Sequence, residues 1–91
     1  MTGKKTARDI LIEFLASRRY NGHITITSHE IEEDVRKYGR HMYNKLHNGS
    51  TYSRAWRKLK ESGNIPELDV IKILTINDYE SSENRWVLQT L

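Results

Sequence analysis

The stretch of residues 50–65 constrains the fold most, because its spacing predicts one helix with two chemically opposite faces. At about 100° of rotation per residue, its apolar side chains fall within one arc and most of its basic side chains project from the other side. The apolar arc contains Tyr52, Ala55, Trp56 and Leu59. The basic arc contains Arg54, Arg57 and Lys58. Only the apolar arc can be buried, so we expect the helix to pack on a core and present its basic face to solvent.

The ends of this helix are marked by residues that suit helix termini. Ser50 or Thr51 can accept hydrogen bonds from the first free N–H groups. Gly63 stands where a helix commonly ends in a left-handed residue. The sequence therefore predicts a helix over residues 50–62.

Basic residues are concentrated in the middle of the chain. The formal net charge is only +3, yet no acidic residue occurs between Asp34 and Glu61. The basic residues of that window are Arg36, Lys37, Arg40, Lys45, Arg54, Arg57, Lys58 and Lys60. A field of one sign attracts polyanions, nucleic acid first among them, although a solvated surface that binds nothing would carry the same charges.

Length and composition indicate one small domain. The chain has 91 residues, 36% of them hydrophobic, and we assign residues 1–91 to a single domain with residues 1–5 as a flexible tail. Without cysteine it can form neither a disulfide nor a thiolate zinc site. No apolar run approaches the roughly 20 residues of a membrane span. We expect a soluble intracellular protein, in the cytoplasm, nucleoid or nucleus, with no cofactor.

The first part of the chain predicts a core helix, a short strand and a second helix. Thr6 can cap a helix that runs to about Arg19. Its apolar stripe consists of Ala7, Ile10, Leu11, Phe14 and Leu15. The turn signal Asn21-Gly22 precedes a short β-branched strand at residues 23–26. Thr27-Ser28-His29-Glu30 has the spacing of a capping box, which predicts where the second helix begins.

Gly39 leaves two forms open for the second helix. Its apolar positions stay in phase beyond the glycine: Ile31, Val35, Tyr38, Met42 and Leu46. Either the helix stops at Gly39 and a short extra helix covers residues 40–47, or one helix continues to about His47 with a glycine that costs roughly 1 kcal/mol. We favour the break.

Two strands are predicted after Pro66. Residues 68–76 form the most strand-like run of the chain, and residues 85–91 alternate with Trp86 and Leu88 on one face. Residues 77–84 between them are polar. The pair is therefore expected to form a terminal hairpin.

This order of elements resembles the winged helix-turn-helix domains. Residues 26–31, Ile-Thr-Ser-His-Glu-Ile, resemble the family's entry into its first motif helix. Residues 51–65 resemble its recognition helix, with Leu59, Gly63 four residues later, and an aliphatic residue opening the wing. The resemblance implies an α+β fold: a three-helix core, a small antiparallel sheet and a C-terminal β-hairpin as the wing.

The chain departs from the family pattern in two places. Residues 39–49 make the connection between the two motif helices longer than the usual turn of about 3 to 4 residues. The predicted wing tip carries Asp78, Glu80 and Glu83 and no base before Arg85, whereas a wing that grips DNA normally carries Lys or Arg. This pattern does not favour contact between the wing and DNA.

The resemblance and the charges together predict that helix 50–62 enters the major groove of duplex DNA. The residues of this helix expected to face bases and phosphates are Ser50, Thr51, Ser53, Arg54, Arg57 and Lys58. Those expected on the phosphate backbone from the basic segment 36–47 are Arg36, Lys37, Arg40 and Lys45, with His41 and His47. Arg54 and Arg57 are the candidates for base contact because guanidinium forks pair with guanine.

The function implied is a transcription regulator or the DNA-recognition module of a larger protein. A homodimer or an attached domain is an expected partner, because one such module reads few base pairs; no membrane or small-molecule substrate is expected. Alternatives are a protein-interaction module of the same shape and a domain that binds structured RNA. His29 and Glu33 are too few for a metal site, and Ser53 lacks evident catalytic partners, so we expect no enzyme.

Overall fold

Residues 5–77 and 83–91 are described by the computed structural model, and within them the chain forms three helices and a four-stranded antiparallel sheet. The helices are α1 (Ala7–Ala16), α2 (Val35–Tyr43), which continues a π-helical turn (Glu30–Asp34), and α3 (Gly49–Ser62). The strands are β1 (Arg19–Tyr20), β2 (His23–Thr27), β3 (Val70–Asn77) and β4 (Asn84–Thr90). The predicted α+β class is confirmed. Within these ranges, no helix is long and apolar enough to cross a membrane.

Helix α1 is the core helix that the sequence predicts. Thr6 Oγ1 accepts from the N–H of Asp9, and the Asp9 carboxylate accepts from the N–H of Thr6, each at 3.2 Å. The buried side chains of α1 are Ile10, Leu11, Phe14 and Leu15. Residues 1–4 of the expected tail lie outside the described residues, whereas Lys5 pairs with Glu13 at 3.5 Å.

The predicted end of α1 near Arg19 is wrong, because the chain leaves the helix at Ala16 to form a small hairpin. Strand β1 pairs with β2 across the Asn21-Gly22 turn, in which both residues have positive φ, 48° and 80°. Such a two-residue turn matches the twist of paired strands. The predicted turn is confirmed, and it has a strand on each side.

Strand β4 lies inside the sheet, whose order is β1-β2-β4-β3. Ile24 pairs with Leu88 and Ile26 with Trp86, and all four side chains are buried. Since alternate residues of a strand face one side, this face of the sheet covers the helices. The β3–β4 hairpin is as predicted, with residues 78–82 of its loop outside the described residues.

The second helix begins at the predicted capping box and does not break at Gly39. The N–H of Glu30 donates to Thr27 Oγ1, and the N–H of Thr27 donates to the Glu30 carboxylate, each at 3.2 Å. Helical backbone then runs to Tyr43 and ends at Asn44, which has φ 52°. The predicted break, with an extra helix over residues 40–47, is therefore wrong.

The physical role of Gly39 is close packing rather than helix termination. A Cβ at this position would overlap the hydroxyl of Tyr52 and lie 3.3 Å from Ile10. Gly49 has a similar role, since a Cβ there would lie 2.7 Å from the backbone oxygen of Glu32. Two glycines thus let the second helix, including its π-helical turn, approach α3 and α1 closely.

Helix α3 buries the arc that its periodicity predicts, namely Tyr52, Trp56 and Leu59. Its cap differs from the prediction: Asn48 Oδ1, not Ser50 or Thr51, accepts from the N–H of Thr51 at 3.1 Å. The predicted end is confirmed by Gly63, a left-handed residue with φ 78°. The helix therefore starts at Gly49, one residue earlier than expected.

Candidate nucleic-acid interface

The outer face of α3 carries exposed cations. Tyr52 and Trp56 on the inner face are 0% and 2% exposed, whereas the side chains of the basic arc project into solvent. The three residues of that arc are Arg54, Arg57 and Lys58. Within residues 5–77 and 83–91 none of them forms an ion pair. In the described part of the chain, their positive charge is therefore not neutralised by a direct ion pair.

The hydroxyl groups expected at the same face are held by acceptors of the protein. Ser50 and Thr51 donate to Asn48 Oδ1 at 2.7 and 2.9 Å. Ser53 donates to the Glu32 carboxylate at 2.9 Å. Their oxygens retain lone pairs, so these side chains could still accept hydrogen bonds from a ligand, but their protons are already used.

Sequence reasoning missed Asn48 and Glu32. Asn48 stands three residues before Thr51, which is the spacing of a helix cap, so the sequence does carry this signal. Glu32 belongs to the π-helical turn, whose backbone α3 approaches at Gly49. No local sequence pattern predicts the contact between Glu32 and Ser53, because that contact depends on how two helices cross.

An aromatic contact joins the β3–β4 hairpin to α3. The rings of Trp56 and Trp86 meet edge to face with centroids 5.4 Å apart. Lys60 lies over the ring of Trp86, with its Nζ 4.6 Å from the ring centroid. A depression of about 200 Å³ runs beside this pair and is also lined by Glu32, Ser53 and Arg57. The hairpin is thus fixed next to the basic face of α3.

The described end of the hairpin loop is acidic and turned toward the second helix. The N–H of His29 donates to the Glu83 carboxylate at 2.7 Å. A carboxylate is favourable there because the first turn of a helix has free N–H groups and partial positive charge. Asp78 and Glu80, the other acids predicted at the tip, lie outside the described residues.

Three of the four candidate phosphate-binding cations line one depression, of about 220 Å³, at the start of α3. Its wall is formed by Arg36, Arg40, Lys45, Leu46, His47 and Asn48. Lys37 is exposed but does not line it. Arg36 bonds Glu33 at 3.0 Å, and this hydrogen bond is the main reason that the pKa of Glu33 lies below its ordinary value. The depression itself has no carboxylate in its wall.

Tyr43 is tied to α1. Its hydroxyl donates to the Glu13 carboxylate at 2.5 Å, and its ring is half-buried against the core. That hydrogen bond, with burial and the negative charge of Glu13, raises the pKa of Tyr43 to about 12. The hydroxyl of Tyr43 is therefore already engaged within the protein.

The described residues contain no cluster that could hold a metal ion, counting groups of at least three His, Asp or Glu. His29 and Glu33 were the two residues considered as metal ligands, and Glu33 forms an ion pair with Arg36. Protein-family models, curated proteins and solved structures were compared with the chain, and none matches it. A functional proposal for this chain therefore rests on the charge and geometry of its own residues.

Proposed function

We propose that this protein is a winged helix-turn-helix domain that binds duplex DNA through α3. The observation that supports it best is the division of α3 into a buried indole side, with Trp56 2% exposed, and an outer side with Arg54 and Arg57. Three helices, a small antiparallel sheet and a terminal hairpin are compatible with that family.

In this proposal α3 lies in the major groove, which is about 12 Å wide and admits one helix. Arg54 and Arg57 contact base edges, since each can pair with O6 and N7 of a guanine and discriminate by about 1 to 3 kcal/mol. Lys58 contacts phosphate. Because Ser53 donates to Glu32, we assign it no donor role toward the bases.

We assign the contacts with the phosphate backbone to the basic segment before α3. Arg36, Arg40 and Lys45 share one concave surface, and Lys37 is exposed nearby in sequence. Contacts of this kind set the register of a protein on the duplex without reading bases. The hairpin receives no phosphate contact in this proposal, because Glu83 is the acidic residue described at its loop.

A protein-interaction module is the second candidate, and one observation favours it. Met42 and Leu46 are 53% and 80% exposed although both are large and apolar. Exposed apolar side chains beside a charged rim are typical of protein-binding surfaces. In this alternative the basic arc of α3 would steer an acidic partner rather than read bases.

Competition separates these functions. Labelled random-sequence duplex DNA is bound at low salt and then challenged with unlabelled duplex DNA, duplex RNA or heparin at about 150 mM salt, where weak non-specific contacts are screened. The proposal predicts that duplex DNA displaces the label best. Stronger displacement by duplex RNA would indicate an RNA-binding domain instead. Equal displacement by heparin would indicate that the protein binds polyanions non-specifically. Failure to bind any of these polymers would favour the protein partner.

A further inference from the structure

The depression at the start of α3 has the chemistry of an oxyanion site. Its cationic lining comes from two elements: Arg36 and Arg40 lie four residues apart on one face of α2, and Lys45 follows the helix. Guanidinium groups pair with phosphate through two parallel N–H donors, and lysine adds a compact charge. All three residues line one concavity, whereas the cations of a merely solvated face need not share one.

The wall of this depression is held in place by the core. The ring of His47 packs edge-on against Tyr52, a fully buried residue, with centroids 5.7 Å apart. Asn48 is fixed as the cap of α3 by bonds from the hydroxyls of Ser50 and Thr51. A binding surface with a fixed wall loses less conformational entropy when a ligand arrives than a flexible one.

The first turn of α3 adds to the positive potential of the depression. Asn48 satisfies the N–H of Thr51, but within the described residues the N–H groups of Gly49 and Ser50 have no protein acceptor. The first turn contains no acidic residue. Unpaired N–H groups and the positive end of the helix dipole favour an anion near this point.

Charge and volume fit a phosphate monoester. Three lining cations, with Glu33 compensating Arg36, leave a charge of about +2, and a phosphate monoester carries about −1.5 to −2 at pH 7. A volume of about 220 Å³ corresponds to roughly seven water molecules at about 30 Å³ each. That space takes a phosphate group, with Leu46 at the wall to contact the esterified group.

From these observations we infer that the depression lined by Arg36, Arg40 and Lys45 binds a phosphate monoester. The ligand is either the terminal phosphate of a nucleic-acid strand or a free phosphate compound. The first source rests on the proposed function, whereas the second does not. A duplex end engaged here would bring its terminal phosphate to the N-terminus of α3.

The test uses two matched duplexes and two matched variants. One duplex carries 5′-phosphates and its twin carries 5′-hydroxyls. Lys45→Gln removes a lining cation, and Lys72→Gln removes the same charge from an exposed position of β3, outside the lining and outside the proposed DNA contacts. In parallel, inorganic phosphate is titrated into each protein at constant ionic strength while amide chemical shifts are recorded, and thermal melts establish that both variants are folded.

The inference predicts that inorganic phosphate shifts amides around residues 36–49 and that the phosphorylated duplex binds about tenfold more tightly than its twin, the effect of one hydrogen bond to a charged group. Lys45→Gln abolishes both effects, and Lys72→Gln keeps both. Phosphate binding without a preference between the twins assigns the site to a free phosphate compound.

Two results overturn the inference: no localised phosphate shift together with equal affinity for the twins, or effects that Lys45→Gln and Lys72→Gln reduce alike. The first leaves the proposed function intact if both duplexes still bind. Conversely, localised phosphate shifts in a protein that binds neither duplex would contradict the proposed function and keep the site.

Discussion

The hydroxyl of Tyr52 occupies the space that a Cβ atom on Gly39 would need. The two residues lie where α3 crosses α2, and the same hydroxyl is buried without a hydrogen-bond partner among the described residues. The orientation of the basic face of α3 therefore depends on a glycine in the middle of the preceding helix.

Replacing Gly39 with Ala should destabilise the protein by about 1 to 3 kcal/mol, the usual cost of overpacking a core. Helix propensity alone predicts the opposite, a gain of about 1 kcal/mol. Tyr52→Phe removes the overlapping oxygen, so Gly39→Ala should cost less in that background. Urea unfolding of the two single variants and the double variant measures this coupling. A stabilising Gly39→Ala would contradict the close approach.

Asn48→Ala should lower the free energy of unfolding by about 1 kcal/mol, because Asn48 is the cap of α3. Asn48→Asp is the matched control, since a carboxylate caps equally well and suits the helix dipole. The Asp variant should keep its stability yet bind polyanions more weakly than wild type, because it adds a negative charge beside the basic depression. Equal stability of the Ala variant and wild type would show that the Asn48 cap does not stabilise α3.

Tyr43 should titrate at about pH 12, since its hydrogen bond to Glu13 raises its pKa. The folded-state pKa lies above the unfolded value of about 10, so the contribution of this bond to stability is fully present below about pH 10 and is lost as the pH rises toward 12. The difference in stability between wild type and Tyr43→Phe should shrink across that window. Glu13→Gln should lower the pKa of Tyr43, followed by the chemical shift of its own ring in a pH titration; an unchanged pKa would contradict the assignment.

Affinity for duplex DNA should fall steeply with salt. If the four candidate cations before α3 each neutralise one phosphate, log K should fall against log salt with a slope of about −4. Lys45→Gln should reduce that slope by about 0.9, and Lys72→Ala, at an exposed position of β3, should leave it unchanged. A flat salt dependence between about 50 and 200 mM would exclude a phosphate interface.

Local signals predicted much of the fold. Thr6 and Thr27 indicate helix starts, because each side chain accepts a hydrogen bond from the N–H three residues later. Gly63 indicates a helix end. The apolar period placed Trp56 in the core. Each of these depends on the 3.6-residue repeat or on bonds between near neighbours, which a single sequence displays directly.

The remaining features depend on contacts between distant residues. Gly39 resembles a helix end because the low helix propensity of glycine is a local property. Its structural role is to leave room for the hydroxyl of Tyr52, which lies on another helix. For the same reason the bond between Ser53 and Glu32, 21 residues apart, was not predicted. Within the candidate site, the sequence predicted the exposed cations of α3, but not that three cations of the preceding segment share one depression.

The role of α3 in DNA binding is tested by the affinity of the Arg54→Ala/Arg57→Ala variant for duplex DNA, taken by fluorescence anisotropy at low salt. Lys72→Ala controls for loss of charge from another surface, and chemical unfolding controls for stability. We expect at least a tenfold loss of affinity for the double variant, because two guanidinium contacts disappear. Its free energy of unfolding should be unchanged, and Lys72→Ala should have little effect. Unchanged DNA binding by the double variant would remove α3 from the interface.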